Sequence, residues 1–156
     1  MAKMENVGDY PRPPALEPVA ERLMVLFDGT IIANTTSGFR VLETFHPPTY
    51  YIPQADLQMD WFKPIARTSI CEWKGRAAYF DIVGPNRRAP AAAWCYPKPT
   101  SAFIPITNYL AIYAEPMDEC RVGEMVVLPQ PGNFYGGWLT ENITGPVKGV
   151  PGTNHW

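Results

Sequence analysis

The clearest fold signal in this chain is the stretch Leu23-Met24-Val25-Leu26-Phe27-Asp28-Gly29-Thr30-Ile31-Ile32-Ala33. Two apolar runs flank Asp28-Gly29, a dipeptide that tolerates the positive φ angles of a two-residue type I′ turn. The pattern therefore predicts a β-hairpin, with one strand before Asp28 and the other after Gly29.

Short extended runs recur along the rest of the chain and are separated by turn residues. Arg40–Thr44 alternates polar and apolar residues as a half-buried strand does. Asn108–Tyr113 fits a strand or a helix, and its Tyr and Ile residues favour a strand. Pro53–Leu57 predicts one helical turn that begins with proline. The other predicted strands are Tyr50–Ile52, Thr68–Trp73, Arg76–Val83, Ala91–Tyr96, Cys120–Val122 and Met125–Leu128.

Length and periodicity together predict the fold class. A chain of 156 residues falls at one domain, and its 18 prolines, roughly twice the average usage, favour short elements joined by loops. No helical heptad or long amphipathic stripe is present in the sequence. We therefore expect a mainly β fold: a small single-domain sandwich or open barrel of short antiparallel strands, with at most one or two short helices. An α+β fold with one short helix is the alternative.

Composition divides the chain into three parts. Residues 1–22 are predicted to form a Pro-rich N-terminal arm, because proline restricts itself and its predecessor to extended backbone. Residues 23–130 contain the predicted strands and form the β core. Residues 131–156 are rich in Gly and aromatic residues, and we expect this tail to pack on the core because disordered tails are poor in aromatics.

The overall charge and the cysteine count exclude several classes of protein. The 13 Lys and Arg against 15 Asp and Glu leave a net charge of −2, which argues against general nucleic-acid binding and against binding to a membrane surface. No stretch reads as a signal peptide or as a spanning helix. The three widely spaced cysteines suit a reducing compartment, so we expect a cytoplasmic protein.

Motifs for metals and common cofactors are missing from the sequence. No Cys has a second Cys or a His two to four residues away, so we expect no metal site. Dinucleotide, P-loop and zincin motifs are absent as well, and we expect no cofactor. His46 is the histidine on which an acid–base step would depend, but it precedes two prolines and fits a solvated turn residue at least as well.

The middle third of the chain combines positive charge with aromatic residues. Between Trp61 and Lys98 lie seven basic and two acidic residues, a local charge of +5. Aromatic residues cluster from Tyr50 to Tyr96. Cations and flat rings together suit an anionic, ring-bearing ligand, whereas a solvated basic surface over an aromatic core gives the same pattern.

The segment Ile70-Cys71-Glu72-Trp73-Lys74-Gly75-Arg76 holds the candidate chemistry. In strand geometry Cys71 and Trp73 would share one face, and Glu72 and Lys74 the other. A thiol beside cations is a candidate nucleophile, and Lys74 is a candidate amine, with Glu43 or Glu72 for proton transfer. A buried structural cysteine and an ordinary turn lysine are the alternatives.

Five segments together resemble the family called domain of unknown function 427. They are Arg40-Val41-Leu42-Glu43, Pro47-Pro48-Thr49-Tyr50-Tyr51-Ile52-Pro53, Cys71-Glu72-Trp73-Lys74-Gly75, Ala93-Trp94-Cys95-Tyr96-Pro97 and the hairpin that contains Gly123. The resemblance implies a small, mainly β, soluble protein and a nucleotidyltransferase label, although the sequence lacks the paired carboxylates of polymerase-like transfer. Cys95 stands where the family's fourth motif usually has serine.

Three functions are compatible with the sequence. The leading hypothesis is a binding module for a small anionic or nucleotide-like ligand, and an enzyme that uses Cys71 or Lys74 is the second. The third is a protein-interaction scaffold, and a homo-oligomer is compatible with the chain. The expected ligand-binding residues are Arg40, Glu43, Tyr50, Tyr51, Cys71, Trp73, Lys74, Arg76, Tyr79, Trp94 and Tyr96.

Overall fold

The computed structural model describes residues 3–132 and 134–150. Residues of the predicted arm and tail at 1–2, 133 and 151–156, including Trp156, lie outside the described residues. The strands are β1 (Glu5–Asn6), β2 (Ala15–Pro18), β3 (Leu23–Phe27), β4 (Thr30–Thr35), β5 (Phe39–Leu42), β6 (Thr49–Tyr51), β7 (Phe62–Cys71), β8 (Gly75–Val83), β9 (Arg88–Cys95), β10 (Ala111–Ile112), β11 (Glu119–Val122), β12 (Met125–Val126), β13 (Leu128–Pro129), β14 (Trp138–Leu139) and β15 (Ile143–Thr144). Short 3-10 turns are Val7–Asp9, Gln54–Asp56, Met59–Trp61 and Ser101–Ile106.

The hairpin of β3 and β4 is the one predicted from the sequence. Asp28 and Gly29 have φ angles of 49° and 76°, the positive values that a type I′ turn requires. Along β3, Leu23, Val25 and Phe27 are fully buried, while the residues between them are half-buried. This alternation places one face of the hairpin against the main core.

The strands form several small sheets, most of them antiparallel. The first sheet has the order β12-β11-β3-β4, the second β10-β9-β8-β7, and the third β2-β5-β6. Ile52 and Leu110 exchange backbone hydrogen bonds of 2.8 and 2.9 Å, which join the third sheet to the second through β6 and β10. Within the described ranges the sheets do not close into a barrel. Strands predominate and the helical elements are lone 3-10 turns, so the mainly β prediction is confirmed.

The joined sheet is buried on both faces at β6 and β9. On β9, Cys95 belongs to the main core beneath the β3–β4 hairpin, whereas Trp94 and Tyr96 belong to a second core on the opposite face. β6 divides in the same way, with Tyr50 in the main core and Tyr51 in the second. Successive side chains of a strand point to opposite faces, so one sheet serves both cores.

The bounds of several predicted elements differ from the structure: the predicted strand Met125–Leu128 is divided between β12 and β13, and the predicted strand Arg40–Thr44 ends at Leu42. β7 begins at Phe62, runs for 10 residues and ends at Cys71, so the predicted strand to Trp73 is wrong at its C-terminal end. Glu72, Trp73 and Lys74 form the turn before β8. In the segment Asn108–Tyr113 only Ala111–Ile112 is strand, and Leu110 makes an isolated bridge. The predicted helical turn after Pro53 is confirmed as a 3-10 turn.

Both terminal segments make backbone contacts with the sheets or with each other. β2 pairs with β5 over all four of its residues. β1 pairs with β15 in parallel, and β13 pairs with β14. Within residues 3–132 and 134–150, no helix has the length and apolar character needed to cross a membrane.

Candidate functional site

A cavity of about 320 Å³ lies over the second core. Its walls come from β5 to β9, from the turn between β7 and β8, and from segments before β2 and after β13. Its volume falls at the lower end of the range for small-molecule sites. The second face of the joined sheet is therefore its floor.

Aromatic side chains form this floor. Tyr51, Tyr79, Trp94 and Tyr96 all belong to the second core and line the cavity. Trp94 lies 4.6 Å from Tyr113 and 6.5 Å from Tyr79 between ring centroids. The cavity thus offers flat apolar surfaces to a ligand ring.

Phenolic hydroxyl groups add hydrogen-bonding capacity to the floor. The hydroxyl oxygens of Ser69 and Tyr79 are 2.9 Å apart. Burial, the largest cause, raises the pKa of both Tyr51 and Tyr96 well above the ordinary value for tyrosine. These phenols therefore stay neutral at physiological pH and can donate a proton to a hydrogen-bond acceptor.

The end of β7 and the turn that follows it bring three predicted site residues to the cavity. Cys71, Trp73 and Lys74 line one side of it, although the turn invalidates the strand geometry expected for them. Thr100 holds the turn: its N–H donates to the Lys74 carbonyl at 3.0 Å, and its hydroxyl donates to the Trp73 carbonyl at 2.5 Å. Lys74 Nζ is 5.9 Å from the centre of the Tyr96 ring, within cation–π range.

The opposite end of the cavity is polar. Arg12 Nη2 lies 3.7 Å from Glu43 Oε2, and His46 Nε2 lies 4.0 Å from the same oxygen. Gln130 and Lys148 complete this end of the lining. The predicted residue Glu43 therefore sits between a guanidinium and an imidazole.

Gln130 fixes the orientation of the His46 ring and its tautomer. The Gln130 carbonyl oxygen accepts the Gly137 N–H at 3.0 Å, so its amide nitrogen is the atom that donates to the Lys148 carbonyl at 2.9 Å. The same amide nitrogen lies 3.0 Å from His46 Nδ1. Because an NH₂ group donates and does not accept, Nδ1 is the acceptor and the imidazole carries its proton on Nε2.

The expectation that His46 is a solvated turn residue is wrong. Its side chain is 13 % exposed, and Tyr135 packs edge-on against it with 4.9 Å between ring centroids. Burial, followed by the positive charges of Lys148, Lys74 and Arg12, lowers its pKa to about 4. His46 is therefore neutral at physiological pH and reports a positive potential in the cavity.

The segment between β13 and β14 closes the cavity over Trp94. A Cβ atom on Gly136 would lie 2.1 Å from Trp94 Cη2, so the backbone touches the indole and only glycine fits. The Tyr113 hydroxyl donates to the Phe134 carbonyl at 2.6 Å. A second hollow of about 560 Å³ adjoins the cavity and shares Tyr113 and Gly136 with it.

Three of the expected ligand-binding residues lie elsewhere. Arg40 and Tyr50 are opposite one another in the β5–β6 register, and their shared face is the one that turns away from the cavity. Tyr50 stacks at 5.3 Å on Trp138 in the main core. Arg76 is exposed on β8, where it pairs with Ile70 of β7.

Arg40 is part of an ion-pair cluster with the N-terminal segment. Its Nη2 lies 3.0 Å from Glu5 Oε2, and its Nε donates to Glu17 Oε1 at 2.6 Å. Burial alone would raise the pKa of Glu5, but the hydrogen bonds from Arg40 and Tyr10 lower it below the ordinary value. Arg40 thus connects β5 to β1 and β2.

The cysteines differ in their surroundings. Cys71 is half-buried in the cavity wall, whereas Cys95 and Cys120 are buried in the main core. Burial raises the pKa of Cys95 to about 11 and that of Cys120 to about 12. The Cys95 thiol therefore faces away from the cavity.

The basic residues of the middle third do not gather at the cavity. Arg87 pairs with Asp118, and Arg88 with Asp81. Arg67 lines the adjoining hollow and stacks 4.8 Å from the centre of the Tyr79 ring. Among the described residues, Lys74 is the one of these seven bases that lines the cavity.

Several lining residues were missed from the sequence. Arg12, Gln130 and Lys148 are distant from the middle third in sequence, and no local pattern marks them. The run Phe134-Tyr135-Gly136-Gly137 is the one signal in the sequence for the close approach of Gly136 to an aromatic ring. In the described parts of the chain, no group of three or more His, Cys, Asp or Glu side chains is placed to hold a metal ion.

Comparison with known families gives a match that covers much of the chain. The sequence profile of the family described as Domain of unknown function (DUF427) matches residues 15–123, which is more than half of the chain. No curated protein matches the chain. The matched region contains the aromatic floor, Glu43, His46 and the β7–β8 turn, whereas Arg12, Gln130, Gly136 and Lys148 lie outside it. The chain belongs to the DUF427 family.

Proposed function

We propose that the cavity binds a small anionic, ring-bearing ligand of the nucleotide-like class. The observation that carries the proposal is the convergence of Arg12, Lys74 and Lys148 on one cavity whose floor consists of aromatic rings. Glu43 and Glu72 are the acidic lining residues among those the structure describes, so the lining carries net positive charge.

The electrostatic argument rests on His46. Three cations act on this imidazole, and each of them disfavours a further positive charge on it. The same potential favours an anion, and a partly enclosed cavity strengthens the attraction because less water screens it. Burial, the largest cause of the low pKa of His46, disfavours charge of either sign, so the support for an anion comes from the three cations alone.

The rings of the floor would hold the apolar part of the ligand. The planes of Trp94 and Tyr79 are tilted by 33° to each other, and Trp73 lines the cavity from the turn. Flat surfaces of this kind stabilise bound rings by stacking, typically by about 1–3 kcal/mol per ring. A ring with an acidic substituent fits both halves of the lining.

Lys74→Ala tests the proposal. The thermal unfolding of the full chain is measured with nucleoside monophosphates, sugar phosphates and inorganic phosphate. We expect at least one nucleoside monophosphate or sugar phosphate to raise the unfolding temperature, and Lys74→Ala to weaken its binding about tenfold.

Lys63→Ala is the matched control, because Lys63 is an exposed lysine of β7 outside the lining. Stabilisation that Lys63→Ala and Lys74→Ala reduce equally would assign the effect to general charge. Absence of stabilisation by any of these anions would refute the proposed binding function.

An enzyme is the second candidate, and a specific observation favours it. Cys71, Lys74 and Glu43, the three candidate catalytic residues, all line the same cavity. Such an arrangement brings a thiol, an amine and a carboxylate within reach of one bound molecule.

The alkylation rate of Cys71 against pH separates the two candidates. Cys95 and Cys120 are buried, so iodoacetamide labelling of the folded protein reports mainly on Cys71. A nucleophilic Cys71 would react as a thiolate below pH 7. An ordinary alkylation profile, with half-maximal rate near pH 8.5, would remove Cys71 as the nucleophile.

We propose a reducing, cytoplasmic location for the protein. The support is that Cys71, Cys95 and Cys120 are all free thiols. Mass spectrometry of the protein labelled in intact cells checks this: we expect three unpaired thiols, and a disulfide between any two would argue against it.

A further inference from the structure

The polar end of the cavity presents a donor and an acceptor that do not reach each other. His46 carries its proton on Nε2, since Gln130 donates to Nδ1. Glu43 Oε2 lies 4.0 Å from that Nε2, beyond the 2.7–3.2 Å of a hydrogen bond. Arg12 Nη2 lies 3.7 Å from the same oxygen. Both side chains line the cavity, and because 4.0 Å leaves no room for an atom between the nitrogen and the oxygen, an atom that contacts both would lie in the cavity space beside the line that joins them.

We propose that a hydroxyl group of the ligand occupies this space, so that the cavity selects hydroxylated ring compounds with an anionic substituent. The inference deepens the proposed binding function and depends on it. A hydroxyl oxygen accepts from His46 Nε2–H and donates to Glu43, and it can lie about 2.8 Å from both atoms at once.

Other ligand groups fit this position less well. A carboxylate or phosphate oxygen would accept from His46 but would repel the Glu43 carboxylate. An ammonium group would pair with Glu43 but would face the imidazole N–H, which offers it no acceptor. A hydroxyl satisfies both residues, and the anionic substituent can then pair with Lys74 or Lys148 of the lining.

The test compares probes that differ only in hydroxyl groups. The dissociation constants of adenosine, guanosine, cytidine and uridine 5′-monophosphates are measured by calorimetry beside those of their 2′,3′-dideoxy counterparts. Ribose 5-phosphate is compared with 2-deoxyribose 5-phosphate in the same way. We expect the hydroxylated member of at least one binding pair to bind about tenfold to a hundredfold more tightly.

Two variants assign this preference to the site. Glu43→Gln removes the charged acceptor and should reduce the preference to less than about threefold. Glu124→Gln, at an exposed position in the β11–β12 turn, makes the same chemical change and should keep it. Even if Glu43→Gln fails to fold, the inference is tested in the unmodified protein by the ratio of the dissociation constants of the deoxy and hydroxylated probes.

The outcomes separate this inference from the proposed function. Equal affinity for every binding pair would overturn the hydroxyl bridge and leave anion binding standing. A preference that Glu43→Gln retains would also overturn it, because the hydroxyl would then bind elsewhere. If none of the probes binds, the proposed function fails and the hydroxyl bridge fails with it.

Discussion

At the scale of the residue, hydrogen-bond partners decide what His46 can do. Gln130 has its two functional ends fixed by Gly137 and Lys148, so the imidazole must present an acceptor to it. A protonated ring would place an N–H against the Gln130 NH₂ group and leave two donors facing each other. The contact therefore opposes protonation, in the same direction as burial and the nearby cations.

We predict that His46 lowers the stability of the protein in acid. Its pKa is about 4 in the folded chain and about 6.5 in the unfolded chain, so the unfolded state binds the extra proton between these values. Stability should therefore fall as the pH decreases through this window, by about 2 to 3 kcal/mol between pH 7 and pH 4.5. Urea unfolding at the two pH values measures the loss.

His46→Asn provides the comparison, because asparagine does not titrate and can still accept a hydrogen bond from Gln130. The variant should lack this part of the pH dependence, while the contributions of Glu5, Asp81 and other carboxyl groups remain. An identical pH dependence in the two proteins would show that His46 does not titrate in this window.

The residue scale also shows where prediction from sequence stopped. Tyr50 and Tyr51 were both expected at the ligand, but neighbours in a strand point to opposite faces, and only Tyr51 reaches the cavity. The same alternation places Arg40 on the face of β5 that turns away from the cavity. Both faces of this sheet are apolar, so hydrophobicity alone could not tell which face carries the site.

At the scale of the element, the turn between β3 and β4 has a conformation set by its own residues and hydrogen bonds to a loop that is distant in the sequence. Asp28 adopts a positive φ, and its Oδ2 also accepts the N–H groups of Asn86 and Arg87 at 2.7 and 3.2 Å. Sequence could predict the first property, because Asp-Gly is a local signal. The second depends on the β8–β9 loop and has no local signal.

We predict that Asp28→Ala destabilises the protein by about 2 kcal/mol, because alanine resists positive φ and leaves two backbone donors without this partner. Asp28→Asn should cost less, since asparagine tolerates that φ and retains an acceptor oxygen. Chemical unfolding of the three proteins measures the difference. Equal losses in the two variants would mean that neither the φ angle nor the acceptor matters.

At the scale of the whole molecule, the terminal segments and the sheets form one structure. Arg40 holds Glu5 and Glu17 on the face of β5 that turns away from the cavity, while Arg12 of the same N-terminal segment reaches Glu43 inside it. The division into arm, core and tail was a compositional prediction. Composition could not show that β2 is a sheet strand, because its pairing partner β5 lies more than twenty residues away.

We predict that Arg40→Met loosens the N-terminal segment. The change leaves Glu5 and Glu17 without their shared cation in a half-buried position, which should cost about 2 to 3 kcal/mol. Hydrogen exchange measured by mass spectrometry should show faster exchange in residues 3–18. Arg22→Met, at an exposed arginine bonded to Asn34, is the control and should leave that segment unchanged.

Exchange that is unaltered in residues 3–18 of Arg40→Met would contradict this role for the cluster. Faster exchange that is confined to β5 and does not extend to residues 3–18 would also contradict it. Only faster exchange in the segment itself agrees with a connection made by Arg40.

Different parts of the sequence supply the aromatic floor of the cavity and its polar lining residues, and this bears on which ligands related proteins would bind. The ring floor lies in the region that defines the family, whereas Arg12, Gln130 and Lys148 lie before or after it. Sequence change at the two ends can therefore alter which molecule is accepted while the interior that folds the protein stays the same. Relatives with a common interior and unlike ends are expected to recognise different compounds.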